Sequence, residues 1–258
     1  LRRARDFLER DVDALHAHLD GYTGALKLQI AGPWTLAATL ELPSGHKVAS
    51  DPGAVRDLAE SLAEGLRLHV ADLARRAPAA RLVVQVDEPS LPAVLAGHIA
   101  TPSGYGTVRT VEPEPAERVL RSVLSAAPEG GRVVHCCAAD VPVGLLRTAG
   151  ADAISLDASR LDVKGYDALG EAVEAGTSLW LGVLPSIDER ISLDRAREPI
   201  RRLWSNLGLP ATELAAAVVA TPTCGLAGAS PPYVRRVLGL LRDVGLWIMQ
   251  VDSEGELR

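Results

Sequence analysis

The sequence is poor in aromatic residues, at 3%, and in sulfur: one Met and three Cys in 258 residues. Three cysteines do not make a disulfide framework in so long a chain. That points to a reducing, cytoplasmic setting, where clustered Cys serves metal binding or catalysis. No apolar run approaches the roughly 20 residues that cross a bilayer, so no membrane segment is expected. No basic block is present either. With 27 Lys and Arg against 33 Asp and Glu, mixed along the chain, nucleic acid is not an expected partner. The opening stretch, LRRARDFLERDVDALHAHLDG, is too charged for a signal peptide and reads as a surface helix. Internal repeats, linkers and low-complexity tracts are missing too. What remains is 47% hydrophobic and 23% charged, an ordinary globular composition long enough for one large core.

Six short apolar runs are present, at residues 25–33, 81–89, 131–138, 151–159, 178–186 and 216–226. They are mostly continuous, as strands buried on both faces should be. Amphipathic helical stretches separate them, and DPGA and SPP mark helix starts with proline in the first turn. This β–α alternation predicts a parallel sheet covered by helices. A doubly wound sheet and a closed barrel both satisfy it. The polar and reactive residues favour the barrel, because they end nearly every run: DEP, HCC, LDAS, LPS and TCG. A barrel gathers its strand C-termini around one mouth. The expectation is a single α/β domain over residues 1–258, a (β/α)8 TIM barrel lacking its first one or two βα units. The chain opens in a helix without an initiator Met, as an N-terminally truncated piece would. Residues 97–114 form the longest irregular segment, and such a loop after a strand is expected to be a lid or substrate loop.

The chemistry concentrates in a few positions. His135 and Cys137 stand two apart, so on a strand both face one side and can share a metal ion, with Cys136 turned away. Zn2+ favours such nitrogen and thiolate donors, although His and Cys also pack inertly in apolar strands. Cys224, in TPTCGL, ends another run, so all three cysteines fall at strand C-termini. Asp157 ends AISLD and is either an oxygen ligand or a helix N-cap. Asp87 and Glu88, in QVDEP, face opposite sides of a strand, so only one should enter the mouth. A carboxylate there suits an ammonium group or a proton. His16 and His18 diverge on a helix, His69 lies on a helix face, and His46 and His98 lie in loops.

QVDEPSL, HCC, DAISLDASR and TPTCGL, in this order and at these strand ends, resemble the C-terminal catalytic barrel of cobalamin-independent methionine synthase. The resemblance covers most of the chain and is closest to short, single-barrel relatives. It implies a thiol methyltransferase that makes methionine from homocysteine on a zinc ion. The implied ligands are His135, Cys137, Asp157 and Cys224, with Asp87, beside Glu88, holding the homocysteine amino group. The family usually has Glu where this chain has Asp157. It also carries a histidine, tied to proton donation, in the segment that here reads GVLPSIDERIS, where Asp188 is the nearest acid. The methyl donor implied is a methyl-folate or a methyl-corrinoid, the latter bringing a corrinoid protein as partner. Three other readings stand beside this one. They are a corrinoid-dependent methyltransferase for another thiol, a porphyrinogen decarboxylase-like barrel, and a non-catalytic zinc- or thiol-binding protein.

Overall fold

Each of the six apolar runs contains one strand in the computed structural model, which describes residues 2–162 and 165–257. The strands are β1 Ala25–Ala31, β2 Arg81–Asp87, β3 Arg132–Cys136, β4 Ala153–Asp157, β5 Ser178–Leu184 and β6 Val218–Pro222. All pair in parallel, in the order β1-β2-β3-β4-β5-β6. Ten α-helices accompany them among the described residues: α1 Arg2–His16, α2 Pro33–Thr39, α3 Pro52–Arg76, α4 Leu91–Leu95, α5 Pro113–Leu124, α6 Val143–Thr148, α7 Tyr166–Glu174, α8 Leu193–Leu207, α9 Leu214–Ala217 and α10 Pro231–Glu254. The predicted helix starts are in place. Asp51 caps α3 by accepting from Gly53 N and Ala54 N, and Ser230 caps α10, each ahead of a proline in the first turn.

Alternate side chains sort the strands into two faces. Leu28, Val84, Val134, Ile154, Leu156 and Leu181 point outward and pack with the buried helix faces into the main core. Each such side chain contributes roughly 1.5–3 kcal/mol on burial. The inner face holds a much smaller apolar cluster, Val83, Val133 and Ala153 against Trp180. Toward the strand C-termini that face turns polar, with Gln85, His135 and Ser155 all buried.

The sheet is curled. In a flat sheet, five steps of about 4.8 Å would hold β1 and β6 about 24 Å apart. Here one cavity is lined by Lys27 of β1, His135 of β3 and Thr221 of β6 together. Gly182 permits part of this curvature. A Cβ at that position would lie 2.6 Å from the Thr223 Cα and 3.0 Å from the Leu156 carbonyl oxygen, so only glycine lets the end of β6 come so close. The β5–β6 register also shifts there, between Gly182 and Leu184. No helix among the described residues is long and apolar enough to cross a membrane.

The long loop corrects one expectation. Residues 97–114 fold back on themselves through an Ala100–Thr107 bridge, with Thr101 N donating to Gly106 O. They line no part of the inner cavity. Arg109–Glu112 instead border a larger cavity of about 680 Å³ on the helical side, between α3 and α5. A loop following a strand need not fold over the mouth when its apolar side chains, here Val108 and Val111, pack into the helix layer.

Candidate metal and thiol site

The inner cavity, about 340 Å³, lies on the concave face at the C-terminal ends of the strands. The outer cavity is larger, but none of the clustered donors borders it. His135, Cys137 and Cys224 each bring one ligand atom within 4.8 Å of the others, from a buried, a half-buried and an exposed residue respectively. The two sulfurs are 3.9 Å apart. A tetrahedral zinc with Zn–S bonds of about 2.3 Å separates two sulfurs by about 3.8 Å, so the sulfur spacing matches that ion.

The strand register explains how the trio is built. Asp87, His135 and Ser155 stand side by side on β2, β3 and β4. Ser155 Oγ lies 2.9 Å from His135 Nδ1, which fixes the ring and leaves Nε2 as its free nitrogen. Burial pushes the His135 pKa down, so the neutral, ligating form is favoured at neutral pH. Burial first, and the neighbouring Cys224 second, push the Cys137 thiol up to about 11. Cys136 points the other way, fully buried in the outer layer, and its thiol is pushed up to about 12 by burial.

Asp87 enters the cavity and is held at both oxygens. Gln29 Nε2 donates to Oδ2 at 2.6 Å and Gln85 Nε2 donates to Oδ1 at 2.8 Å. Lys27 Nζ donates to the other ends of the same amides, at 2.7 Å to Gln85 Oε1 and 3.3 Å to Gln29 Oε1. Thr221 Oγ1, in the same cavity wall, is buried with no protein hydrogen-bond partner. None of Lys27, Gln29, Gln85, Ser155 or Thr221 was singled out in the sequence. The available signal was alternation, since Lys27 and Gln29, and then Gln85 and Asp87, are polar residues two apart in otherwise apolar strands.

Three expected site residues lie elsewhere. Glu88 turns to the opposite side from Asp87 and is fully buried at the start of α2. It accepts from Trp34 N at 2.9 Å, Thr35 N at 2.7 Å and Thr35 Oγ1 at 2.8 Å. With all those contacts inside the fold, it anchors α2 and lines no part of the inner cavity. Asp157 is outside the donor trio. Its Oδ1 accepts from Ser159 N and Ser159 Oγ, its Oδ2 lies 3.4 Å from Arg160 Nε, and it borders a neighbouring cavity. Of its two sequence readings, the cap describes what it does here. Asp188 accepts from Ser230 N and Oγ at 2.7 and 2.6 Å, away from the inner cavity. Those hydrogen bonds hold its pKa below the usual carboxylate value, which opposes a proton-donor role.

Among curated proteins, none matches the chain. Residues 22–246 match the family model described as cobalamin-independent synthase, catalytic domain. That match takes in all six strands and the whole donor trio, and the chain belongs to the cobalamin-independent synthase catalytic-domain family.

Proposed function

We propose that this chain is a zinc-dependent methyltransferase that moves a methyl group onto the sulfur of homocysteine, yielding methionine. The observation that carries the reading is the trio His135, Cys137 and Cys224, with its 3.9 Å sulfur separation, two of whose members, His135 and Cys224, line a cavity that also holds a fixed carboxylate. His135 Nε2 and the two sulfurs would hold the ion, and three protein donors leave a fourth position for a substrate sulfur. When bound, zinc supplies one thing: it stabilises the deprotonated, nucleophilic form of a thiol near neutral pH.

The remaining roles belong to the protein. Ser155 keeps the His135 ring in orientation. Asp87, oriented by Gln29 and Gln85, receives the substrate ammonium group beside His135. Asp157 caps Ser159 through Oδ1, and it would compete with the substrate for the fourth position if its Oδ2 turned from Arg160 toward the ion. In the reaction, the substrate sulfur forms a bond to the methyl carbon, and the donor keeps the electron pair of the bond that breaks. The donor in this reading is a methyl-folate or a methyl-corrinoid. The curled sheet is read as six of the eight strands of a (β/α)8 barrel, with the site at the mouth.

Zinc K-edge absorption with and without homocysteine tests the reading. One zinc per chain with two sulfur neighbours, rising to three with homocysteine, is the expected result. A zinc shell unchanged by homocysteine would sink it. Methionine formation from methyl-tetrahydrofolate, assayed beside methylcobalamin, then identifies the donor. Thiol capture with neither donor active would leave a thiol-binding protein that is not an enzyme.

A further inference from the structure

Lys27 stands in the inner cavity with both of its hydrogen-bond partners neutral amides. Those amides belong to Gln29 and Gln85, and their nitrogens bind the two oxygens of Asp87. Each glutamine therefore turns its carbonyl toward the cation and its amino group toward the anion. A lysine and an aspartate in direct contact would cancel each other. Here two amides hold them apart, and both charges remain open to a ligand. An ammonium carries three donors, and two of them are used. A carboxylate has about four acceptor positions, and the amides take one on each oxygen.

An α-amino acid is the complementary object. It carries an ammonium and a carboxylate on one carbon, close together, as the separated Asp87 and Lys27 charges are in the cavity. The strand order sets which end goes where. Asp87 is the register neighbour of His135, so the ammonium lies on the side of the donor trio. Lys27 is on β1, one strand farther out, where a carboxylate would follow. Lys27 is also partly stripped of water, which lowers its pKa, while Asp87 acts in the opposite direction.

We propose that Lys27 is a specificity-determining residue: it binds the carboxylate of the substrate, so that the cavity selects an α-amino-acid thiol over a thiol that lacks the carboxylate. The inference rests on the thiol-binding function proposed above. The competing role is structural, with Lys27 doing no more than orienting the two glutamines.

The test uses the full chain loaded with Co2+ in place of zinc, and three thiols: homocysteine, 3-aminopropane-1-thiol, which lacks the carboxylate, and 4-mercaptobutanoate, which lacks the ammonium group. Sulfur-to-cobalt charge-transfer absorption and calorimetry report binding without turnover. The wild type is expected to bind homocysteine about tenfold or more above 3-aminopropane-1-thiol. Lys27→Met should erase that preference by weakening homocysteine about tenfold or more, with 3-aminopropane-1-thiol changed less than about threefold. Lys27→Arg should keep most of the preference. Asp87→Asn should show the mirror pattern, losing affinity for both thiols that carry the ammonium group and sparing 4-mercaptobutanoate. Equal weakening of all three thiols by Lys27→Met, or no weakening at all, overturns the proposal and leaves thiol binding standing. If no thiol changes the cobalt spectrum, both the proposal and the function beneath it fall.

Discussion

Asp87 and Glu88 are neighbours in sequence with opposite surroundings. Asp87 faces the open cavity, while Glu88 is fully buried against α2 and its pKa is raised to about 7, because burial outweighs three hydrogen bonds that favour the ionised form. The folded chain therefore keeps that proton up to about pH 7, whereas the unfolded chain loses it near 4.5. The resulting stabilisation is fully present below the unfolded value and is lost as pH rises through the folded one. Denaturant midpoints of wild type and Glu88→Gln, compared from pH 4.5 to 7.5, should show the wild type losing ground to the variant as pH rises. A constant difference across that range would refute the assignment. At Ser155, loss of the hydroxyl frees the His135 ring. Zinc affinity of Ser155→Ala, measured by chelator competition, is expected to fall about 10- to 100-fold, with Ser155→Thr recovering most of it. These two residues also mark where sequence reading stops. The trio was legible because H-x-C and the C of TCG stand out in a chain with three cysteines. Glu88 was not, because the groups that define it, Trp34 and Thr35, are 54 and 53 residues away.

At the scale of the elements, the strands were the most legible feature, since a short apolar run closed by polar residues leaves few alternatives in a β–α alternation. Their polar inner positions were harder to see, because curvature alone decides whether Lys27 and Thr221 share one wall. Gly182 is the place to test that curvature. Gly182→Ala drives a methyl group into the Thr223 backbone and should displace the end of β6 together with Cys224. The expected result is a loss of about 1–3 kcal/mol in stability and weaker zinc binding at once. Normal zinc affinity in a destabilised variant would separate the two effects and break the link. The Asp188–Ser230 pair acts on an element as well. It fixes the N-cap residue of α10 to the loop after β5. Asp188→Asn should lower the thermal or denaturant midpoint slightly and leave thiol binding unchanged.

For the whole molecule, the donor trio couples metal to stability. An ion that binds only the folded chain stabilises it by about 2.7 kcal/mol at a hundredfold excess over its dissociation constant. Because Cys137 enters as a thiol, loading should release at least one proton per zinc at pH 7. Calorimetry in buffers of different ionisation enthalpy checks this, and no buffer dependence would contradict it. The sulfurs of Cys137 and Cys224 add a second consequence. They are 87 residues apart in the chain, while every strand pairs only with its sequence neighbours. The sheet can therefore grow in the order of synthesis, one hairpin-free βα step at a time, but the trio comes into being only when β6 docks. Under the proposed function, zinc occupancy would thus read out maturation: a nascent or clipped chain ending before Cys224 holds at most two of the three donors.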